Sequence, residues 1–62
     1  MLEFCKSVLQ KVSFDHSLFQ KELNKSIQWV SQAEVENLRL WCIETYGSKH
    51  GIIIQQAFDT IL

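Results

Sequence analysis

The sequence predicts an all-α fold in which four short helices form two hairpins that pack against each other. The 62-residue chain has no proline and only two glycines, so it offers few places for the sharp turns of a β fold. Apolar residues recur with a helical period along most of the chain, and helix-start signals separate the periodic segments. A chain of this length forms one domain. The helices are expected at about 2–13, 16–30, 32–46 and 49–62.

The first two predicted helices are amphipathic and form the first hairpin. The first helix carries its apolar face on Leu2, Cys5, Val8, Leu9 and Val12. Asp15 is the predicted N-cap of the second helix, because a carboxylate there accepts hydrogen bonds from unpaired backbone amides. The second helix has its apolar stripe on Phe19, Leu23, Ile27 and Val30, with Leu18 and Trp29 together on one flank.

The third predicted helix is apolar on two sides. Ser31 and Glu34 have the spacing of a capping box at its start, and Gly47 is expected in a left-handed conformation after its last residue, Tyr46. One stripe contains Val35, Leu38, Trp41, Cys42 and Tyr46, and the opposite stripe contains Ala33, Leu40 and Ile43. Such a helix is usually buried on two sides, so we expect helix three to be the most buried of the four. Alternatively, its second stripe contacts another chain.

The fourth predicted helix follows a short connection that includes Ser48 as a candidate cap. Its inner face contains Ile53, Ile54, Ala57, Phe58 and Ile61, whereas Ile52 falls among the polar residues. The predicted core of the whole domain is Leu2, Cys5, Leu9, Val12, Phe19, Leu23, Ile27, Val35, Leu38, Trp41, Cys42, Ile54, Phe58 and Ile61.

Composition and charge disfavour several functional classes. Six basic residues against seven acidic ones give a net charge of −1, without the basic face typical of nucleic-acid binding. The longest aliphatic run, residues 52–54, is far shorter than the roughly 20 residues of a membrane span. Two cysteines form too small a disulfide framework for a secreted mini-protein, and residues 1–6 do not resemble a signal peptide. We therefore expect a cytoplasmic protein with reduced thiols and no membrane contact.

No catalytic, metal or cofactor site is predicted. The candidate metal ligands Cys5, Cys42, His16 and His50 are scattered, without the close pairs that metal sites use. The two cysteines are interpreted as small core residues; the alternative is that Cys5 or Cys42 lies near His50 and acts as a nucleophile. His50 is interpreted as partly covering the core while its polar edge reaches water, with a pH switch or ligand as the alternative, and His16 as solvated. We expect neither an enzyme nor a small-molecule substrate.

A DNA-binding role is the alternative function. Residues 41–58, two predicted helices separated at Tyr46-Gly47-Ser48, resemble a helix-turn-helix, and residues 46–58 resemble the helical part of ribbon-helix-helix repressors. These resemblances imply a transcriptional regulator that uses this segment. However, the second helix of the segment has no arginine and few charges for phosphate contacts, and the N-terminus is predicted as helix rather than as the strand of a ribbon-helix-helix protein.

A protein-interaction role agrees best with the apolar residues that the predicted helices leave outside the core. Exposed apolar patches usually mark interfaces, with aromatic residues as anchors. The candidate interface consists of Ala33, Leu40, Ile43, Ile52, Leu18, Trp29 and Leu62. We therefore expect a small interaction or regulatory module whose partner is a second copy, giving a homodimer, or another protein. Alternatively, a compact fold buries all these residues within one chain.

Overall fold

The computed structural model describes residues 1–59, and this range contains three helices. They are α1, Leu2–Val12; α2, His16–Trp29; and α3, Gln32–Asp59. Helices α1 and α2 form an antiparallel hairpin, and α2 also packs along α3, whereas α1 and α3 touch less. The all-helical prediction is confirmed for the described range, and the prediction of four helices in two hairpins is wrong.

The starts of α2 and α3 are stabilised by the predicted capping side chains. Asp15 Oδ1 accepts a hydrogen bond from the Leu18 amide at 3.1 Å, so Asp15 is the N-cap of α2. Glu34 Oε1 accepts a hydrogen bond from the Ser31 amide at 3.2 Å, which is the glutamate half of the predicted capping box. The Asp15 cap is confirmed. The capping box is confirmed in its glutamate half only, because the Glu34 amide bonds the Ser31 carbonyl oxygen at 2.9 Å rather than the Ser31 hydroxyl.

Helix α3 replaces the third and fourth predicted helices. The expected break after Tyr46 is absent, because Gly47 is helical and no residue in the described range has a positive φ. The backbone instead leaves helical geometry at His50, with φ −124° and ψ 27°, which bends α3. Cys42 before the bend and Ile54 after it are buried in the same core, so tertiary packing outweighs the low helix propensity of glycine.

The core contains most of the predicted residues. The buried apolar side chains are Cys5, Leu9, Phe19, Leu23, Ile27, Val30, Leu38, Cys42, Ile54, Ala57 and Phe58. Four predicted core residues are only partly buried against this cluster, namely Leu2, Val12, Val35 and Trp41. Ile61 lies outside the described residues. The structure adds two buried polar residues that were not predicted in the core, Ser26 and His50.

Residues 32–46 are not the most buried segment. Only Leu38 and Cys42 are buried there, whereas the shorter helix α2 buries Phe19, Leu23, Ser26 and Ile27. The second apolar stripe of the predicted third helix is exposed, so α3 is covered by the rest of the chain on one side. The expectation of burial on two sides is therefore wrong for a single chain.

Candidate functional site

A groove runs along α3, and two of its lining residues, Ile54 and Phe58, are buried core residues. It has a volume of about 450 Å³ and is lined by Arg39, Ile43, Gly47, Gly51, Ile54, Gln55, Phe58 and Asp59. All these residues belong to α3, so neither α1 nor α2 contributes a described wall. We call this feature the α3 groove. Its middle is formed by two glycines, and its two ends carry opposite charges.

The glycines of the α3 groove are not required by the fold of a single chain. Neither has a positive φ, which is the conformation that favours glycine. A Cβ atom built on Gly51 meets nothing within 4 Å, and one on Gly47 makes an ordinary contact of 3.7 Å with Ile43 Cγ2. Glycine inside a helix costs about 0.5–1 kcal/mol relative to alanine. The open backbone is thus a destabilising feature with no internal packing role.

Charged side chains mark both ends of the α3 groove. At one end, Arg39 Nε donates a hydrogen bond of 3.1 Å to Glu36 Oε1, and Arg39 Nη2 bonds Glu36 Oε2. The hydrogen bond from Arg39 lowers the pKa of Glu36, against an opposing effect of desolvation. The Glu36–Arg39 ion pair lies at the surface, so it contributes little to stability. Asp59 is exposed at the other end.

Two of the predicted interface residues lie close together here, because Ile43 lines the groove and Leu40 is three positions before it on α3. Leu40 and Ile43 are one turn apart on α3 and are 46% and 44% exposed. Ala33 is also exposed, at the start of α3. Leu62 lies outside the described residues.

The remaining predicted interface residues lie on other surfaces. Ile52, 74% exposed, lines a neighbouring depression that includes His16 and Lys49 and shares Gly47 and Gly51 with the α3 groove. Trp29 stacks against Phe4 of α1 with ring centroids 6.4 Å apart, and Leu18 is exposed on α2 without lining either depression. The structure therefore divides the predicted interface into several places. Sequence periodicity assigned these residues to exposed faces, but only the bend and packing of α3 show which ones adjoin a groove.

A pair of histidines joins the bend of α3 to the α1–α2 corner. His50 is 2% exposed, so the expectation that its polar edge reaches water is wrong. Its Nε2 lies 2.7 Å from the carbonyl oxygen of Ser13, and its Nδ1 lies 2.8 Å from Nδ1 of His16. Its ring stacks on Phe19 with centroids 4.3 Å apart. His16 is exposed as predicted, but its Nδ1 contacts Nδ1 of His50.

Both cysteines are free and buried. Burial raises the pKa of the Cys42 thiol to about 12, although the positive charge of Lys6 opposes this effect. The thiol of Cys42 is therefore protonated at neutral pH, whereas nucleophilic cysteines react as thiolates. Within residues 1–59, no three histidine, cysteine, aspartate or glutamate side chains converge as metal ligands.

Two further findings concern the whole of the described range. No helix within residues 1–59 is long and apolar enough to cross a membrane. The segment that resembles a helix-turn-helix lies within α3, where helical geometry is interrupted at His50 and not at residues 46–48. Comparison of the chain with protein-family models, curated proteins and solved structures finds no match in any of the three.

Proposed function

We propose that this protein is a small, non-catalytic interaction module that acts as a homodimer through the α3 groove. The observation that carries the proposal is the open glycine backbone of Gly47 and Gly51, flanked by the exposed side chains of Leu40 and Ile43. A second backbone approaches a helix most closely where no Cβ atom intervenes. Close packing of a second chain would therefore explain why glycines occupy these two positions. Homodimers are also the commonest soluble oligomers.

The spacing of the residues in the groove favours a second copy of the same helix. In a two-fold interface, residue i of one copy contacts residue j of the other, and j contacts i. An antiparallel α3 pair with its axis near residue 49 places Gly47 opposite Gly51. The same axis places Ile43 opposite Gln55 and Arg39 opposite Asp59, so both ends of the groove meet the opposite charge.

The oligomeric state in solution tests this proposal. Sedimentation equilibrium of the whole chain at micromolar concentration should give a dimer mass. Leu40→Glu and Ile43→Glu should each weaken the dimer by more than about tenfold in Kd, because either change places a charge in an apolar contact. Leu18→Glu is the matched control, since it makes the same change at a similarly exposed leucine on α2 that lines neither depression. A monodisperse wild-type monomer contradicts the proposal.

Charge exchange tests the antiparallel arrangement. Arg39→Glu should weaken the dimer because it places a carboxylate opposite the carboxylate of Asp59 in the second copy. Adding Asp59→Arg to that variant should restore association, because the opposite charges are then re-established in reverse. If the double variant associates no better than Arg39→Glu alone, the proposed register is wrong. The circular dichroism of every variant should remain that of the wild type, since Arg39 pairs only with Glu36 within the described chain.

A further inference from the structure

We infer that His16 and His50 form a proton-sensitive latch, which holds the bend of α3 against the α1–α2 corner with no more than one bound proton. The inference does not depend on the proposed dimer, because both histidines and their partners belong to one chain. It depends on two short contacts, on the burial of His50 and on the hydrogen-bonding capacity of an imidazole.

The hydrogen positions in the latch follow from its partners. The carbonyl oxygen of Ser13 only accepts, so Nε2 of His50 carries a hydrogen and donates it. A neutral His50 then has a bare Nδ1, which accepts from Nδ1–H of His16. The neutral latch is thus a chain of two hydrogen bonds that runs from His16 through His50 to Ser13. Ser13 is the C-cap of α1, where a side-chain donor satisfies a carbonyl at the end of the helix.

The two hydrogen bonds of the latch remain intact when one proton is added to the histidine pair, but not when two are added. Nε2 of His16 makes no described hydrogen bond and His16 is exposed, so a proton added there leaves both contacts unchanged. If the proton instead occupies Nδ1 of His50, His16 accepts through its own Nδ1 and the contacts again survive. With two protons, both Nδ1 atoms carry hydrogens that face each other at 2.8 Å. That arrangement has no acceptor and brings two cations together beside the buried ring of His50.

The surroundings of the latch offer no described carboxylate contact to the second cation. From α2, His50 faces His16 and the apolar ring of Phe19; from α3, it faces Tyr46, with ring centroids 6.0 Å apart. From the end of α1, it faces the Ser13 carbonyl. The charged residues next to the two histidines in sequence are Asp15, whose Oδ1 caps α2, and Lys49, which is exposed. Lys49 adds a further positive charge next to His50 in the chain.

The latch couples protonation to folding. The unfolded chain binds a proton on each imidazole in acid, whereas the latched state binds one. Stability decreases as the pH is lowered wherever the unfolded state binds more protons, by up to about a factor of ten in the unfolding constant per proton and per pH unit. The loss is therefore expected on the acidic side of neutral pH, where the imidazoles of the unfolded chain bind protons.

The first test observes the wild-type chain directly. Long-range ¹H–¹⁵N NMR of the imidazoles above pH 8 should show the hydrogen of His50 on Nε2 and that of His16 on Nδ1. On acidification, the second protonation step should coincide with shift changes at Ser13 and Phe19. The inference is overturned if either ring shows the opposite hydrogen position, or if both rings become charged while those resonances keep their positions.

The second test uses His16→Asn in the whole chain, with urea unfolding followed at pH 7.5 and pH 5. An asparagine amide can donate to a neutral His50 or, after rotation, accept from a charged one. The wild-type unfolding constant should rise several-fold more than that of His16→Asn between the two pH values. All carboxylates are the same in both proteins, so their titration cancels in the comparison. Equal pH dependence in the two folded proteins refutes the latch; if His16→Asn does not fold, the NMR test decides.

Discussion

Two segments of this chain have helix-ending signals: one separates α1 from α2, and the other bends α3, where helical geometry is lost at His50. Residues 13–15 contain no glycine, yet the chain reverses there between α1 and α2. Residues 47–51 contain both glycines of the protein, yet α3 continues through them with a bend at His50. Glycine content alone therefore does not determine where the helices of this chain end.

The difference lies in what satisfies the backbone at each place. At 13–15, Asp15 adopts an extended conformation and its carboxylate accepts the Leu18 amide, so α2 begins with a side-chain partner. At 47–51, Ser48 makes no described capping bond and neither glycine adopts a left-handed conformation. Capping chemistry and burial on both sides of a segment therefore decide where these helices end. The His50–Ser13 contact joins the two segments, and the comparison can be tested by altering each.

The largest effect is expected at the contact between the two segments. His50→Ala removes a buried ring that stacks on Phe19 and leaves the Ser13 carbonyl without its donor. A loss of about 3 kcal/mol in the free energy of unfolding is expected from the cavity and the lost hydrogen bonds. Urea denaturation followed by circular dichroism measures it. Lys49→Ala, the exposed neighbour, is the control and should change stability by less than about 0.5 kcal/mol. Equal midpoints for the two variants would show that His50 does not support the bend.

A smaller effect is expected where a helix does end. Asp15→Ala removes the N-cap of α2 and should lower the free energy of unfolding by about 1 kcal/mol. Ser17→Ala is the control, because Ser17 is exposed in the first turn of α2 and makes no described side-chain hydrogen bond. Urea denaturation of the two variants, compared with the wild type, measures the difference in the free energy of unfolding. A stability unchanged by Asp15→Ala would mean that packing, rather than the cap, sets the start of α2.

The two segments also show which parts of this structure are predictable from sequence. The N-cap of α2 and the start of α3 were predictable, because capping pairs are local and their geometry hardly depends on the rest of the fold. The apolar periodicity likewise identified Phe19, Leu23, Leu38 and Ile54 as core residues, since the helical period places them on one face.

The bend and the candidate sites could not be predicted from the sequence, because they depend on contacts between residues that are distant in sequence. His16 and His50 are 34 positions apart, and no spacing rule relates them. The continuity of α3 depends on Cys42 and Ile54 sharing a core that the sequence does not locate. Leu40 and Ile43 were identified from the sequence as apolar residues outside the core. The groove that extends from this region to Asp59 could not be predicted, because it exists only if no turn follows Tyr46.

The smallest effect, and the only one expected to increase stability, is at the glycine that does not end its helix. Gly51→Ala should raise the free energy of unfolding by about 0.5–1 kcal/mol, because the added methyl meets nothing within 4 Å and alanine favours the helix. Thermal unfolding at a concentration low enough for the monomer measures this gain. Gly47→Ala should give a similar or smaller gain, since its methyl touches Ile43.

Association of Gly51→Ala should change in the opposite direction. In the proposed dimer the same methyl lies between two closely approaching backbones, so Kd should increase although the monomer is more stable. Sedimentation equilibrium of the two alanine variants measures this second quantity. A gain in both stability and association would show that the glycine backbone is not a contact surface. A loss of monomer stability would instead show that Gly51 is required by the bend beside it. Opposite signs in the two measurements would mean that the glycines are kept for a partner rather than for the fold.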